Sequence, residues 1–510
     1  MIKYVIFILF ISGLFSTVAA DTRYKSLSAD RKHPEFYKGW SCYTSSDAQV
    51  RKKQVTDGIL PYMVFEDETK PVSIATRMNM SKTPAFSVAV IHNGKLDWSQ
   101  AWGKLQEDGS NADCDSLFQA GSLAKPVTLL AALRMKAAGL VDFDQDIETY
   151  FSSYRLPEGQ QSKSNPITLR NLLSHSAGIV RGGYAGYANN EAMPTDEQIV
   201  RGEAPSNSRK VEVVNKPGES LAYSGGGYTL IEIALQDELN RPFELIMRDW
   251  LLAPIGMKQA DFTVPLPLSR HSHTARGHKI DGSIIAGGWN NYPEQAAAGL
   301  WATSTDLAMF LLEVHKGYHG KSDVFTQTSI EEILATPIAN HAYGFRLIND
   351  GNDQVFITHY GGTVGYRAGI TLNLRTGNGA VFLANSDNGS NLGEEFFSAV
   401  ARAYEWPVFR EKIIKRVKHS PEFLKSLTGT YNFPTQGWKV SVVQQQESLQ
   451  FVFPAGNRLP LTMVGIEGSE HQFAHETGVI ARFYDEGEGL KVHLFGQTGQ
   501  RHVSVSSNSN

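Results

Sequence analysis

The sequence predicts an α+β fold: an antiparallel sheet flanked by helices, an adjoining all-helical region, and a small all-β, barrel-like domain after them. Three observations predict it. Strand-like segments stand at both ends of residues 83–404 and helical segments fill the middle, an order typical of an antiparallel sheet beside a helical region. Residues 430–505 show only short alternating segments separated by turns, the pattern of a β-meander. The length of 510 residues, too great for one ordinary core, favours two domains.

Composition sets the expected boundaries. We expect the first domain to cover residues 21–406 and the all-β domain, which we expect to be lipocalin-like, to cover 426–510. The formal net charge of −4 gives no reason to expect a nucleic-acid partner. Residues 407–425 are predicted to be a solvated linker, because prolines bound a basic run that comprises Arg410, Lys412, Lys415, Arg416 and Lys418.

The first 20 residues have the three-part layout of a secretory signal peptide. Lys3 precedes an apolar run over residues 4–14, and small residues lead to Ala20, just before Asp21. We expect cleavage after Ala20 and export to the periplasm or the medium; an uncleaved membrane anchor is the alternative. No later stretch approaches the roughly 18 apolar residues that a membrane span needs, so we expect no span in the mature chain.

The chain holds two cysteines, Cys42 and Cys114. In an oxidising compartment they can form one disulfide, which would fasten the N-terminal segment near residue 122. Two buried free thiols are the alternative, and the sequence leaves both open.

The first elements lead into a hairpin. Residues 55–80 have a helical pattern, and 86–91 and 96–102 are predicted strands joined at Asn93-Gly94, a strong two-residue hairpin signal. Residues 184–208, rich in Gly, Asn and Pro, are predicted to be a lid or loop beside the site. Further helices are predicted at 167–173, with Thr168 as its N-cap, and at 228–239, 242–252 and 305–315.

Strands return after the helical region. We expect two hairpins, 343–348 with 355–359 and 370–374 with 380–385, and then a helix over 394–404. In the all-β domain the clearest strands are 439–443, 449–453, 479–484 and 490–495.

Ser122-x-x-Lys125 opens a segment with apolar residues at helical spacing. Residues three apart on a helix share a face, so the Ser122 hydroxyl and the Lys125 amine can reach one site. A neutral serine is a poor nucleophile and needs a base within hydrogen-bond reach, which this lysine can supply. The alternative is a helix N-cap serine followed by a surface lysine.

Two Gly-rich stretches have the composition of an active-site lining. Residues 223–228 form a polar turn that starts with Tyr223, and a tyrosine near a lysine can relay protons. Residues 359–365 start with His359 after a predicted strand, and their glycines allow a substrate or the backbone to approach closely. A flexible loop and a strand end with a solvent histidine are the alternatives.

The three stretches occur in the order of the active-site elements of the penicillin-recognising serine hydrolases, and the chain resembles that family over residues 83–404. The resemblance is to the class C β-lactamase branch and its peptidase S12 relatives, which implies a β-lactamase/transpeptidase-like fold. The segments that carry it are 118–125, 167–178, 223–228, 299–307 and 359–365.

The resemblance implies a role for each matching residue. Ser122 would be the acylated nucleophile, Lys125 its activator and Tyr223 a base or proton relay. His359 would occupy a position that is lysine in many relatives. The backbone N–H groups of Ser122 and Gly362 would form the oxyanion hole. No metal or organic cofactor is implied, and the expected partner is a small-molecule or peptide substrate.

Departures from the family pattern bear on the substrate. Gly225 stands where an asparagine is common, His359 replaces a permanent cation, and Gln119 and Ala120 replace a glutamate and a larger aliphatic residue. We therefore expect an exported serine hydrolase that acts through an acyl-enzyme on amides or esters, such as D-amino-acid peptides, peptidoglycan-related peptides or simple esters. A β-lactamase, or an inactive relative that binds peptidoglycan or peptides, is the alternative.

Other histidines give weaker signals. The group formed by residues 270–273 and His278 lacks a suitably spaced carboxylate, so a zinc site is not expected. His175 lies in one of the family segments, and we expect it to be a packed structural histidine.

Overall fold

The computed structural model describes residues 42–502 apart from 67–69, 107–108, 153, 181, 336–337, 350–354, 435–436, 455–459, 468–470 and 488. The predicted signal peptide and its cleavage site lie outside the described residues. Within the described part, no helix has both the length and the apolar character needed to cross a membrane.

The helices cluster in the middle of the first domain, as predicted. In the described part of the chain, a π-helical turn, Arg248–Leu252, and 3₁₀ turns at Ile147–Thr149, Leu268–His273 and Glu332–Leu334 accompany them. The α-helices are Gln49–Thr56, Ile74–Met80, Ala124–Ala137, Leu169–Leu173, Asp196–Arg201, Gly225–Leu239, Phe243–Met247, Ala253–Ile255, Gln295–Ala298, Ser304–Tyr318, Gln327–Glu331, Gly389–Ala403 and Pro421–Ser426.

The strands of the described residues form one large sheet, two small ones and a barrel. They are β1 Met63–Phe65, β2 Ala85–His92, β3 Lys95–Gly103, β4 Phe118–Gly121, β5 Leu300–Ala302, β6 His341–Ala342, β7 Phe345–Asn349, β8 Val355–Thr363, β9 Tyr366–Asn373, β10 Gly379–Ala384, β11 Lys412–Ile414, β12 Gly429–Phe433, β13 Trp438–Gln445, β14 Ser448–Val452, β15 Leu461–Gly465, β16 Gln472–Ala474, β17 Ile480–Asp485, β18 Leu490–Leu494 and β19 Gln497–Arg501.

The large sheet is antiparallel, with strand order β3-β2-β10-β9-β8-β7-β6. Side chains alternate between its two faces, and both faces are covered. On β2, Ala89 and Ile91 pack against the helical region, whereas Val88 and Val90 pack against the layer that contains helix Gly389–Ala403. This explains why residues 86–91 read as a nearly continuous apolar run, and the predicted α+β fold is confirmed.

Helix Ala124–Ala137 runs through the core. Its first ten residues, Ala124 to Leu133, are all buried, so this part of the helix is enclosed on all sides. Helix Leu169–Leu173 begins as predicted, because the Thr168 side chain accepts the Asn171 N–H in a capping box.

The helix predicted over residues 55–80 is wrong in its middle part. The helical pattern over 55–80 is interrupted by β1 and becomes two short helices, Gln49–Thr56 and Ile74–Met80. Pro61 and Pro71 lie between them, and proline within a helix removes a backbone donor and clashes with the preceding turn.

The segment predicted as a solvated linker contains regular structure. β11 pairs in parallel with β1, with Met63 opposite Lys412 and Phe65 opposite Ile414, and helix Pro421–Ser426 follows. Lys412 and Ile413 stay exposed and Ile414 is half-buried, so β11 joins the fold mainly through its backbone pairing with β1.

The C-terminal domain is a closed barrel of eight antiparallel strands, β12 to β19, each paired with its neighbour in the chain. Every second side chain points inwards, and the interior holds large apolar groups that touch one another. Tyr431, Phe451, Phe473 and Phe483 are 0 to 1% exposed, and their rings are in contact. The barrel prediction is confirmed, and its interior is a packed core.

Arg77 joins the two domains. Its guanidinium forms a bidentate pair with the buried Glu395 of helix Gly389–Ala403 and a third contact, at 2.9 Å, with Glu476 of the barrel. The Met63 N–H donates to the Glu476 carbonyl at 2.8 Å. The barrel is therefore fixed to the first domain through both side chains and backbone.

Cys42 and Cys114 form a disulfide, with their Cα atoms 5.2 Å apart. Of the two alternatives that the sequence left open, the structure shows the bridge. It fastens the first described residue to the segment that leads into β4.

Candidate active site

Ser122 and Lys125 lie together at the start of the buried helix. Ser122 sits in the turn between β4 and helix Ala124–Ala137, two residues before the helix begins. The Lys125 Nζ donates to the Ser122 Oγ at 3.1 Å and to the Ala297 carbonyl at 2.7 Å. Lys125 is 2% exposed, and no carboxylate among the described residues forms an ion pair with it. The predicted pair is thus brought into hydrogen-bond contact.

The short helix that carries the Ala297 carbonyl is held by a buried acid. Ala297 belongs to the short helix Gln295–Ala298, and the Glu232 carboxyl accepts the Ala296 N–H at 2.9 Å. Glu232 is 1% exposed, and burial raises its pKa well above its usual range. The sequence signal for this support was an acid enclosed by apolar residues, Ile231-Glu232-Ile233, which the sequence analysis did not single out.

β8 passes directly over the turn that carries Ser122, because it has glycines there. A side chain at Gly361 would place its Cβ 1.9 Å from the Ala120 carbonyl oxygen. A Cβ on Gly121 would lie 2.8 Å from the Gly362 nitrogen. The backbones at Ser122 and Gly362, the predicted oxyanion hole, are therefore neighbours.

Gln119, one of the departures, helps to fasten β8 to β4. Its amide oxygen accepts the Thr363 hydroxyl at 2.7 Å, and its amide nitrogen donates to the Asn290 carbonyl at 2.7 Å. A neutral amide can both accept and donate here, as a carboxylate could not.

Tyr223 precedes helix Gly225–Leu239 and borders the same space. Its ring centroid is 5.0 Å from the Lys125 Nζ, which is within cation–π range. The side chain is 38% exposed, so the tyrosine stands between the buried lysine and solvent. The structure brings it to the predicted place beside the Ser122–Lys125 pair.

His359 lies within β8, whereas the sequence predicted that the strand ends at this residue. The strand continues through the glycines to Thr363 because they let it pass over the Ala120 carbonyl. The His359 ring centroid is 6.1 Å from that of Tyr223. Burial, with a further contribution from Lys125, lowers the pKa of His359 to about 3, so the ring is neutral near pH 7.

His175, predicted to be a packed structural histidine, is buried as expected, but it lies against the site. Its ring centroid is 4.4 Å from that of Tyr223 and 5.3 Å from that of Tyr228. The only sequence signal for this was its place in one of the family segments.

Another loop fills the space beside Gly225. Its N–H donates to the Gly182 carbonyl at 2.9 Å, and a Cβ there would lie 2.4 Å from that oxygen and 2.9 Å from the Tyr184 ring. The loop that contains Tyr184 therefore fills the space into which a side chain at 225 would project. This part of the predicted lid borders the site, although helix Asp196–Arg201 interrupts the segment.

Comparison with known proteins gives a consistent result. Residues 73–403 match the family model described as Beta-lactamase. Protein flp of Staphylococcus aureus (strain MW2) is 22% identical over 314 residues, which are 59% of this chain and 59% of that protein. A β-lactamase of Providencia stuartii is 25% identical over 213 residues, 42% of this chain and 50% of that one. The chain thus covers less than two thirds of the length of these relatives.

Solved structures show the same fold over a larger part of the chain. The octameric penicillin-binding protein homologue from Pyrococcus abyssi aligns with a TM-score of 0.58 and 19% identity, over 84% of this chain and 98% of that one. The β-lactamase/D-alanine carboxypeptidase from Pseudomonas syringae aligns with a TM-score of 0.52 and 18% identity, over 64% and 96%. At such identities the likeness concerns the fold alone. In this chain a β-lactamase-fold domain of the serine hydrolase type precedes a C-terminal barrel. Because the family model matches residues 73–403, the chain belongs to the β-lactamase family.

Proposed function

We propose that this protein is an exported serine hydrolase that forms an acyl-enzyme on Ser122 and cleaves an amide or an ester. The observation that supports this most is the 3.1 Å contact between the Lys125 Nζ and the Ser122 Oγ, with the lysine held in place by the Ala297 carbonyl. A nucleophile and a base within hydrogen-bond reach, the base oriented by a third group, is the usual arrangement for nucleophilic catalysis.

Lys125 and Tyr223 would handle the protons. The Ser122 oxygen attacks the substrate carbonyl, and its proton passes to the amine of Lys125, which acts as the base. Collapse of the tetrahedral intermediate breaks the bond to the leaving group, which takes up a proton through Tyr223. Water then attacks the acyl ester, releases the acid, and returns the proton to Ser122.

The negative charge on the substrate oxygen would be stabilised by backbone N–H groups of Ser122 and Gly362. Their neighbouring positions support this role, since donors fixed before the reaction need no reorganisation during it. A single such donor typically contributes about 3–4 kcal/mol to the transition state.

The surroundings favour substrates that need neither a permanent cation nor a side-chain amide at these two positions. His359 is neutral near pH 7, and at position 225 the Tyr184 loop occupies the space of a side chain. D-amino-acid peptides, peptidoglycan-related peptides and simple esters fit this requirement. Two proteins of the same fold, SurE with bound D-Leu and the β-lactamase/D-alanine carboxypeptidase from Pseudomonas syringae, make D-amino-acid peptides the first substrates to test.

A β-lactamase is the second candidate function, and the likeness to the Providencia stuartii enzyme favours it. Turnover of nitrocefin at a rate above that of D-amino-acid peptides and esters would select it. An inactive binding protein is the third candidate and would show no covalent adduct at all.

The deciding experiment is intact-mass analysis after incubation with a fluorophosphonate and, separately, with benzylpenicillin. We expect an adduct of one reagent equivalent on the native chain and none on Ser122→Ala. The folding of Ser122→Ala is checked by circular dichroism. A folded native chain that takes up neither reagent would exclude the enzymatic function and leave the binding protein.

Export is part of the proposal. The signal-peptide layout of residues 1–20 supports it, and so does the Cys42–Cys114 disulfide, because such bonds persist mainly in oxidising compartments. N-terminal sequencing of the mature protein should begin at Asp21. Protein that keeps residue 1 in the cytoplasm would contradict export without affecting the chemistry.

A further inference from the structure

The short segment that carries Tyr223 is held by one residue at three points. The Ala222 N–H donates to the His175 carbonyl at 2.8 Å, and the Ser224 N–H donates to the His175 Nδ1 at 3.2 Å. Between these two bonds, the His175 ring lies against the Tyr223 ring at 4.4 Å and an interplanar angle of 39°. We propose that His175 is a positioning residue of the hydrolase, which acts by fixing the backbone and the ring of Tyr223.

The hydrogen bond to Ser224 determines the form of the imidazole. Because the Nδ1 accepts a backbone N–H, a neutral ring must carry its proton on Nε2. Burial, and then Lys125 and His359, lower the pKa of His175 well below its usual range, so the ring stays neutral at the pH of most assays. Protonation would turn Nδ1 into a donor and break the bond to Ser224. The hold on Tyr223 is therefore constant above acidic pH.

The backbone at His175 is fixed in an unusual conformation. Its φ of +57° lies in the left-handed region, which residues other than glycine rarely adopt. The neighbouring serines stabilise the turn: the Ser174 hydroxyl donates to the Arg170 carbonyl at 2.7 Å, and the Ser176 carbonyl accepts the Gly218 N–H at 2.7 Å. A residue whose strained backbone conformation is held by several surrounding hydrogen bonds is typical of a functional site.

Tyr223 needs such support, because it has little of its own. Its side chain is 38% exposed, and its ring rests against Lys125, His175 and His359. Its position therefore depends on the ring contacts and on the backbone of residues 222–224. A shift of about 1 Å in a proton-transferring group can cost about a hundredfold in rate.

A double-mutant cycle tests whether His175 acts through Tyr223. The probe is the hydrolysis of p-nitrophenyl butyrate by native chain, His175→Ala, Tyr223→Phe and the double variant, with active sites counted by fluorophosphonate uptake. We expect His175→Ala to lower kcat about tenfold or more in the native background, and less than about threefold once Tyr223 is already Phe, since residues that act as a unit are not additive. KM should change by less than about threefold, because substrate binding is not affected.

Two substitutions distinguish the contribution of the His175 ring contact from that of its Nδ1 hydrogen bond. His175→Asn tolerates the left-handed backbone and can offer its Oδ1 to the Ser224 N–H, so it should recover most of kcat. His175→Phe keeps the ring and lacks the acceptor, and should stay near the alanine variant. His315→Ala is the control: His315 lies on helix Ser304–Tyr318, is half-buried, and its ring Nδ1 bonds the Leu374 backbone carbonyl, so the variant also removes an imidazole bonded to the backbone.

The inference rests on the proposed function, and the two fail in different ways. An equal loss from His175→Ala in both backgrounds, or no loss per active site, would overturn the role of His175 while Ser122 is still acylated. A native rate in Tyr223→Phe would also overturn it, since nothing would remain for His175 to act through. A native chain that neither hydrolyses the ester nor takes up the fluorophosphonate would overturn the proposed function itself, and this inference with it.

Discussion

The two domains fill their interiors in opposite ways. The barrel encloses a cluster of aromatic and aliphatic side chains around Phe451 and Phe483. The first domain encloses, beside its apolar core, a group of buried polar side chains that includes Lys125, His175 and Glu232. Burying polar and ionisable groups costs free energy unless each finds a partner, so a chain does so chiefly where chemistry needs them.

We expect the polar interior of the first domain to serve the reaction and the apolar interior of the barrel to serve stability. Removal of a polar group from the first domain should lower the reaction rate and leave the fold, whereas removal of an aromatic ring from the barrel should lower stability and leave the rate. Packed side chains fill the interior of the described barrel, so we expect the barrel to contribute through its outer surface or its attachment at Arg77.

The strongest test of this difference is Lys125→Met. The long apolar side chain keeps the volume and removes the proposed base. We expect kcat/KM for ester hydrolysis to fall about a thousandfold or more, within the range known for a missing catalytic base. The midpoint of urea unfolding should stay the same or rise, because a buried amine without a carboxylate partner is removed. A variant that unfolds at much lower urea with unchanged kcat/KM would reverse the expected assignment.

The counterpart in the barrel is Phe451→Ala. Loss of this fully buried ring should cost about 3–5 kcal/mol of unfolding free energy, because it leaves a cavity among the rings around it. The rate per active site, counted by fluorophosphonate uptake, should equal that of the native chain. A lower rate per active site would show that the barrel core takes part in the chemistry.

Gly361→Ala probes the contact between β8 and the Ser122 turn. Its Cβ would lie 1.9 Å from the Ala120 carbonyl oxygen, so the strand must move, at a cost of about 1–3 kcal/mol. We expect both stability and kcat to fall. Gly183→Ala, where a Cβ meets no atom within 4 Å, is the control and should change neither. Native kcat in a folded Gly361→Ala chain would mean that the register of β8 does not matter for the reaction.

The histidines of the site give a pH dependence with a definite sign. His359 has its pKa lowered to about 3 in the folded chain, while in the unfolded chain it titrates near 6.5. Between these values the unfolded state binds the extra proton, so the unfolding free energy must fall as the pH is lowered from about 6.5 to 3. His175 acts in the same direction. Urea unfolding of His359→Asn should show a shallower fall over this range; an equal slope would exclude this source.

The smallest effect is expected from Glu232→Gln. The raised pKa of Glu232 means that the folded chain keeps a proton that the unfolded chain releases above about pH 4.5, and stability is lost as the pH rises. A glutamine still accepts the Ala296 N–H and has no proton to keep. Its melting temperature should exceed that of the native chain by a few degrees at pH 7 and match it at pH 4. Equal melting temperatures at both pH values would contradict this account.

Much of the site could be predicted because short motifs carried it. Ser122, Lys125, Tyr223 and His359 each stand in a local pattern, and the structure places all four around one space, although their catalytic roles stay a proposal. The hairpin at Asn93-Gly94 and the barrel strands were equally local, since turn chemistry and alternation are read from neighbouring residues.

What could not be predicted depends on residues far apart in the sequence. The pairing of β1 with β11 joins three-residue strands with no pattern of their own, and the linker prediction for β11 followed from its charges. Glu232 supports Lys125 only through Ala297, and His175 meets Tyr223 only through the fold. The strand at His359 was ended too early, because glycines that allow a close approach resemble glycines that end a strand.

The pairing of β1 with β11 also has a consequence in time. The ribosome makes β1 about 350 residues before β11, which at 5–20 residues per second leaves Met63 and Phe65 without this partner for roughly 20–70 s. By then the whole β-lactamase-fold domain has been synthesised. We expect amide protons of β1, which pairs with a single three-residue strand, to exchange sooner than those of β2, which is paired on both sides in the large sheet.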